Sequence, residues 1–344
     1  MSGDGGSMFS STGGSDSLTV SGGFENYLYG EGYYMVDSIG GFDSLTYDSL
    51  TVSGGTGTNL RGDAEIMESS TGGADTITAT GFGTTIVGDA SRMVSSTGGD
   101  DTLSVTGNHN EVFGEAGIIF DDLGNGMYDS IGGDDVITAT GSINQLYGDG
   151  GNMYGISEGG DDSLNVIGDS NLMASDAFDM VDYTLGGDDT ITTNGDGNGL
   201  IGDTVNIHGY VQGGDDTITT NGDGNVLHGD ANVLGAFTQG GDDLLTSNGD
   251  NNVLFGDAKD MLYESIGGND MLISGVGTDT IYGDALYLEA TATGGNDILN
   301  AAKGGINGGE DVLYGDASFT LEDGITTYTR GTGGADLFII RWKY

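Results

Sequence analysis

The chain has 344 residues, of which 70 are glycine, and it contains no proline and no cysteine. Its formal charge of −47 comes from 54 acidic residues against seven basic ones, so nucleic acids and anionic lipid surfaces are unfavourable partners and cations are favourable ones. The absence of cysteine excludes disulfide bonds. No apolar run reaches the length of about 18 residues that predicts a membrane-spanning segment.

The first residues, MSGDGGSMFSS, lack the basic and apolar regions of a secretory signal peptide. Secretion would therefore need a route that does not read an N-terminal signal, unless this sequence begins within a longer chain. An acidic, glycine-rich composition is also typical of disordered chains. Apolar residues recur here in fixed columns, however, so we expect an ordered fold when metal is present and leave open whether the chain is ordered without it.

A repeat organises the whole chain. Residues 186–212 read GGDDTITTNGDGNGLIGDTVNIHGYVQ, and residues 213–239 match them at most positions. Gly-Gly pairs mark the copies, which follow one another every 27 residues in the regular region, at Gly132, Gly159, Gly186, Gly213, Gly240, Gly267 and Gly294. We interpret residues 1–344 as a single repeat domain with an irregular lead-in at 1–12, less regular repeats with insertions at 13–131, regular repeats at 132–316, and a final turn with a C-terminal cap at 317–344.

Each 27-residue unit divides into three segments of nine, and each segment has room for one short strand and one tight corner. Aliphatic residues recur within the segments, as at Ile218, Leu227 and Leu234. Thr217 and Thr219 flank Ile218 with the period of two that is typical of a strand with one buried face. Stacked copies would pair equivalent strands in parallel. The sequence therefore predicts an all-β fold, a parallel β-solenoid with three sides and about 27 residues per coil.

Asparagine also recurs close to the second aliphatic column. The residues concerned are Asn26, Asn59, Asn110, Asn144, Asn171, Asn198, Asn225 and Asn252. Because equivalent side chains of stacked coils lie one above another, we expect these amides to form a buried ladder.

Acidic residues form two further columns. The first carboxylate column lies two residues before the first aliphatic position and contains Asp16, Asp43, Asp75, Asp101, Asp135, Asp162, Asp189, Asp216, Asp243, Asp270, Asp297 and Asp336. The second carboxylate column ends the second segment and contains Glu31, Asp63, Asp89, Glu115, Asp149, Asp176, Asp203, Asp230, Asp257, Asp284 and Asp316. Two bare carboxylates one coil apart would repel each other by roughly 1 kcal/mol in water and by about four times as much at an effective dielectric constant of about 20. Both columns therefore need a neutralising partner.

Hard divalent cations are the neutralising partner that we expect. Only seven basic residues exist and none repeats in register, whereas carboxylates and backbone carbonyl oxygens are the ligands that calcium takes. Soft metals are poorly served by a chain with no cysteine and only three histidines, and magnesium demands a stricter octahedral geometry. We therefore predict several calcium ions, with the aspartates of both columns as ligands. The alternative left open is that these aspartates only make hydrogen bonds to the corner backbone.

Segments such as GGNDML at 267–272, GGNDIL at 294–299 and GDGNVLHGDA at 222–231 resemble the glycine- and aspartate-rich nonapeptides of the repeats-in-toxin (RTX) family, GGxGxDxUx. The ending GGADLFII at 333–340 is similar to the acidic-then-aromatic ends that often follow such repeats. The resemblance implies a β-roll with calcium in its corners, secretion through a one-step type I exporter, and folding outside the cell. Asp216 and Asp243 match the ligand aspartate of the family motif. The chain differs from the family in two ways: its motif is GGxDxU, and its repeat unit is longer. The longer unit favours a solenoid with three sides over one with two.

The repeats leave no residues for a separate catalytic domain. We therefore predict a secreted, non-catalytic, calcium-binding structural protein, such as an extracellular matrix, filament, surface-layer or adhesin component, that folds on binding calcium. Its expected partners are calcium, a surface polysaccharide or other cell-surface component, and itself by end-to-end stacking. The alternative is that the chain is the calcium-binding RTX module of a larger toxin or enzyme secreted by a type I exporter.

An enzyme and an ice-binding solenoid are two further interpretations. Acid–base catalysis needs a unique constellation of residues in a cleft, whereas the acids here are periodic, and we expect Arg61 and Arg92 to be ordinary surface charges. Ice binding would use outward threonine pairs stacked on one face, namely Thr76/Thr78, Thr190/Thr192 and Thr217/Thr219. The equivalent positions Leu244, Met271, Ile273 and Ile298 interrupt that array.

Overall fold

The computed structural model describes residues 6–21, 27–41, 44–48, 58–117, 126–275, 277–301, 311–321 and 334–340. Regular secondary structure in these residues is entirely β-strand. The chain divides into two compact units, residues 1–167 with 175–178, and residues 168–174 with 179–344. Among the described residues, no helix is long and apolar enough to cross a membrane.

Each unit is a parallel β-solenoid whose coils contribute strands to three sheets, S1, S2 and S3. S1 strands follow the Gly-Gly pair, S2 strands are three residues long, and S3 strands follow the second carboxylate column. The predicted all-β, three-sided parallel β-solenoid is therefore confirmed.

The strands of the first unit fall into three sets. In S1 they are Ser17–Ser21, Ser44–Asp48, Thr76–Thr80, Thr102–Thr106, Val136–Thr140 and Ser163–Ile167. In S2 they are Tyr27–Tyr29, Asn59–Arg61, Thr85–Val87, Glu111–Phe113 and Gln145–Tyr147. In S3 they are Ser7–Phe9, Gly32–Val36, Ala64–Glu68, Ala90–Val94, Gly126–Tyr128 and Gly150–Tyr154.

The second unit repeats the same three sets. In S1 the strands are Thr190–Asn194, Thr217–Asn221, Leu244–Asn248, Met271–Ser274, Ile298–Ala301 and Leu337–Ile340. In S2 they are Leu172–Ala174, Gly199–Ile201, Val226–His228, Val253–Phe255, Thr280–Tyr282 and Val312–Tyr314. In S3 they are Ala177–Asp182, Thr204–Gly209, Ala231–Leu234, Ala258–Met261, Ala285–Glu289 and Ala317–Leu321. The first two residues of strand Ala177–Asp182 belong to the first unit.

Within each unit, strands pair in parallel with their equivalents in the neighbouring coils. In the second unit, for example, Ile218 lies opposite Leu245, which lies opposite Leu272. Because side chains alternate across a strand, this register stacks the inward aliphatic residues at the centre of each strand on those of the next coil. Ile218, Leu245 and Leu272 are fully buried, so the aliphatic columns of the sequence form the core.

The third apolar column is a methionine stack in the first unit. Met35, Met67, Met93 and Met127 are fully buried in S3 and lie in register from coil to coil. Met8 extends the stack, because strand Ser7–Phe9 pairs with Tyr34–Val36. Part of the segment that we expected to be irregular, residues 7–9, is therefore a strand of the solenoid.

The asparagine ladder is present in both units. The backbone N–H of Asn110 donates to Oδ1 of Asn144 at 2.9 Å, and that of Asn198 donates to Oδ1 of Asn225 at 2.7 Å. The prediction was wrong for Asn59, because Asn59 pairs with Tyr27 one position further along the strand. Asn26 and the insertions at 49–57 and 118–125 lie outside the described residues.

Candidate cation site: two buried carboxylate columns

The first carboxylate column is buried and hydrogen-bonded along the stack. In the second unit, the backbone N–H of Asp216 donates to Oδ1 of Asp243, and that of Asp243 donates to Oδ1 of Asp270, each at 2.8 Å. In the first unit, the N–H of Asp101 donates to Oδ1 of Asp135 at 2.6 Å. One carboxylate oxygen of each acceptor residue therefore replaces a carbonyl oxygen in the ladder between coils.

The other oxygen of this column has no such partner. Asp243 and Asp270 are at most 2 % exposed. The buried Oδ2 atoms without a hydrogen-bond partner include those of Asp101, Asp135, Asp216, Asp243, Asp270 and Asp297. A buried carboxylate oxygen without a donor is costly, so this row of oxygen atoms indicates a missing positive partner or bound protons.

The second carboxylate column reaches across the coil to the Gly-Gly pair. The backbone N–H of Gly241 donates to Oδ1 of Asp230, and that of Gly268 donates to Oδ1 of Asp257, each at 2.6 Å. Asp230 and Asp257 have no measurable exposure, and their Oδ2 atoms have no hydrogen-bond partner. This column therefore repeats the pattern of the first one, with one oxygen satisfied by the backbone and one not.

Glycines make room for these oxygen atoms. A Cβ atom at Gly229 would overlap both Oδ2 of Asp243 and the carbonyl oxygen of Gly256. In the first unit, a Cβ atom at Gly88 would overlap Oδ2 of Asp101 and the carbonyl oxygen of the next coil in the same way. Gly88 and Gly229, each of which precedes a member of the second column, thus leave space where a carboxylate oxygen of the first column and a carbonyl oxygen meet.

The charges in this space repel one another strongly. Burial, and then repulsion by Asp230, Asp216 and Asp270, raises the pKa of Asp243 well above its usual value. Burial also raises the pKa of Asp230 to about 7, although the N–H of Gly241 opposes the rise. The same two causes raise the pKa of Asp101 and Asp257 far above the usual value. Without a cation, burial and mutual repulsion therefore favour the protonated form of these carboxyl groups.

The donor set fits a hard cation. It consists of carboxylate and carbonyl oxygen atoms, with no sulfur and no imidazole nitrogen. In the described part of the chain, no three acidic or histidine side chains converge closely enough to bind an ion by themselves. A cation here would therefore need backbone carbonyl oxygens among its ligands, which calcium accepts in a flexible shell of six to eight oxygen atoms.

The structure places the predicted aspartates as follows. Those that are buried comprise Asp75, Asp101, Asp135, Asp162, Asp189, Asp216, Asp243, Asp270 and Asp297 of the first column, and Asp63, Asp89, Asp149, Asp176, Asp203, Asp230, Asp257 and Asp284 of the second. Asp16, Asp336 and Asp316 are half-buried. Asp43 lies outside the described residues. Glu31 and Glu115 occupy buried positions of the second column.

A third acidic column was not predicted. The first aspartate of each GGDD segment points outward, as Asp215 and Asp242 show. Its Oδ1 accepts a backbone N–H from the following coil: the N–H of Asp242 donates to Asp215 at 2.8 Å. Strand alternation could have revealed it, since adjacent aspartates in Asp215-Asp216 must face opposite sides.

The expectation that Arg61 and Arg92 are surface charges is wrong for Arg61. Its side chain is 1 % exposed, lies over the ring of Tyr29 at 5.6 Å, and pairs with Glu65 at 3.3 Å. Arg92 is half-buried and lies over the ring of Tyr128 at 5.5 Å. Both guanidinium groups are therefore engaged with neighbouring aromatic rings.

Comparison with known proteins gave no match: no protein-family model, no curated protein and no solved structure is significantly similar to this chain.

Proposed function

We propose that this chain is a calcium-binding, non-catalytic structural protein that folds on binding calcium. The observation that carries the proposal is the row of buried Oδ2 atoms, as in Asp243 and Asp270, that have no hydrogen-bond partner and lie beside carbonyl oxygens in a space kept open by glycine. An ion in that space would give each unpartnered oxygen a positive neighbour.

Calcium suits this arrangement better than the other common cations. At a coil spacing of about 4.8 Å, two ionised carboxylates repel each other by about 3 kcal/mol at an effective dielectric constant of about 20. Repeated over several coils, that repulsion would exceed the net stability of a typical domain, about 5–15 kcal/mol. Calcium offsets it with two charges per ion and accepts an irregular set of oxygen ligands.

Folding coupled to calcium favours an extracellular or cell-surface location, where calcium is abundant. The RTX-like segments support the same proposal, since that resemblance implies secretion and calcium-dependent folding. We assign the protein a structural role because its acids recur in every coil, which fits a scaffold better than a unique catalytic centre.

Calcium titration of the chelated protein, followed by circular dichroism with magnesium as the control ion, tests this proposal. The expected result is a cooperative gain of β-structure with calcium and little change with magnesium, because metal binding and folding are linked. A full β spectrum in excess EGTA at pH 7.5, unchanged by calcium in both shape and melting temperature, would contradict it.

An ice-binding face has less support. Thr190 lies opposite Thr217 in the outward register of S1. The next residues in the same register are Leu244 and Met271. The regular row of hydroxyl groups therefore gives way to aliphatic side chains within the second unit, which favours the structural role.

A further inference from the structure

The amide ladder at the turn between S1 and S2 continues, in the second unit, as a pair of carboxyl groups. The backbone N–H of Asn225 donates to Oδ1 of Asn252 at 2.9 Å. The N–H of Asn252 then donates to Oδ1 of Asp279 at 2.8 Å, and that of Asp279 to Oδ1 of Asp311 at 3.0 Å. Strands Thr280–Tyr282 and Val312–Tyr314 pair in the register that places Asp279 against Asp311. The two aspartates therefore keep the backbone hydrogen bond of the ladder.

Asparagine and aspartate differ in the second polar atom of the side chain, which is Nδ2 in asparagine and Oδ2 in aspartate. An asparagine presents Nδ2, a donor. In this unit Nδ2 of Asn171 donates to Oδ1 of Asn198 at 3.2 Å, whereas the Nδ2 atoms of Asn198, Asn225 and Asn252 have no hydrogen-bond partner. Asp279 presents an acceptor, Oδ2, in the position of that donor. Two acceptor oxygens cannot satisfy each other, so Oδ2 of Asp279 cannot form a hydrogen bond with a carboxylate oxygen of Asp311.

The oxygen of Asp279 is buried and lacks a donor. Asp279 is 1 % exposed, and its Oδ2 has no hydrogen-bond partner. Oδ2 of Asp311 accepts the hydroxyl of Ser274 at 3.3 Å. Asp250 adds a further charge nearby, and its Oδ1 accepts the N–H of Thr278 at 2.6 Å. Burial raises the pKa of Asp279 to about 6, the backbone N–H of Asn252 opposes the rise, and the charges of Asp311 and Asp250 add to it.

We propose that Asp279 and Asp311 bind a hard divalent cation, with the hydroxyl of Ser274 as a neutral oxygen ligand. The ion takes the place of the missing donor and links strand Thr280–Tyr282 to strand Val312–Tyr314. This site is separate from both carboxylate columns. It does not rest on the proposed function, because it requires only that one cation bind in this corner.

The test counts bound ions in the intact chain. The variant Asp279→Asn/Asp311→Asn restores the amide ladder that the preceding coils use, so it should fold. The control variant Asp196→Asn/Asp223→Asn removes the same charge from exposed positions at the same turn, where the N–H of Asp223 donates to Oδ1 of Asp196 at 2.8 Å. Native mass spectrometry in calcium chloride, and separately in magnesium chloride, at pH 7.5 gives the number of ions bound to each protein.

The expected result is one ion fewer in the Asp279→Asn/Asp311→Asn variant and an unchanged number in the control. Circular dichroism verifies that both variants are folded, and Asp279→Asn alone, which restores the donor facing Asp311, serves as the second variant. An unchanged ion count in a folded variant overturns the proposal, as does an equal loss in the control. If the wild-type chain binds several ions and the variant keeps them all, only this inference fails. If the wild-type chain binds none, the calcium proposal fails as well.

Discussion

Replacing Asp243 with asparagine should change stability in opposite directions with and without calcium. The substitution keeps Oδ1, which accepts the N–H of Asp216 at 2.8 Å, and converts Oδ2 into a donor beside the carbonyl oxygen of Gly256. It therefore removes a buried negative charge without removing the hydrogen bond between coils.

The size of the effect in EGTA follows from two limits. Repulsion by each neighbouring carboxylate of the column is about 3 kcal/mol at an effective dielectric constant of about 20. The total cannot exceed the free energy of protonating the group, which for an ordinary pKa of 3.8 is about 5 kcal/mol at pH 7.5, since each pKa unit corresponds to about 1.4 kcal/mol. We expect Asp243→Asn to stabilise the calcium-free protein by about 2–5 kcal/mol.

In millimolar calcium the sign should reverse. The variant loses one carboxylate ligand, and a tenfold loss of affinity at one ion corresponds to about 1.4 kcal/mol of lost stabilisation. Urea unfolding followed by circular dichroism at pH 7.5, in EGTA and in calcium, measures both values. If the wild-type chain lacks a folded baseline in EGTA, the stabilisation is read as a shift of the folding midpoint to higher pH.

The matched control is Asp242→Asn, which removes the same charge from the exposed neighbour. Its Oδ1 accepts the N–H of Asn269 at 2.7 Å, and an asparagine retains that acceptor. A loss of stability in EGTA on substituting Asp243, or the same response from both variants, would refute the view that the inner column holds uncompensated charge.

Three other predictions concern the same coils. In EGTA, the free energy of unfolding should fall as pH rises from about 4 to about 9. Burial raises the pKa of Asp230 to about 7 and that of Asp284 to about 9. The folded state therefore binds more protons than the unfolded state in this range, and it loses that stabilisation as the groups ionise. Thermal melts across this range measure the trend, and melting temperatures that rise with pH would contradict it. Gly229→Ala should lower the free energy of unfolding in urea by at least about 3 kcal/mol or prevent folding, because its Cβ would overlap a carboxylate and a carbonyl oxygen. The control is Gly199→Ala, whose Cβ meets only a leucine methyl group at 3.3 Å, and its stability should be nearly unchanged. Asn225→Ala should destabilise the protein by about 1–3 kcal/mol in the same assay by leaving a buried N–H without its acceptor, and a loss below about 0.5 kcal/mol would show that the amide ladder contributes little.

The outward and inward positions of the strands could be assigned from the sequence. Ile218, Leu227 and Leu234 recur at fixed spacing and are all fully buried, because a parallel stack with a period of 27 residues places equivalent side chains on one another. The same logic identified the carboxylate columns that contain Asp216 and Asp230, and the structure shows that both residues are buried. Periodicity alone was sufficient to predict these features, since equivalent residues of successive coils pack in the same environment.

The sequence by itself determined the repeat, the three-sided parallel solenoid and the columns of aliphatic and acidic residues. Tertiary structure alone decided which carboxylate oxygens are satisfied: in Asp243, Oδ1 receives a backbone N–H and Oδ2 does not. It also decided that Arg61 is buried against Tyr29 and that Asp279 faces Asp311 in an amide ladder. These features depend on contacts between specific atoms of neighbouring coils. A repeat pattern gives the positions of residues, but it does not give the direction of each oxygen atom or the exposure of each side chain.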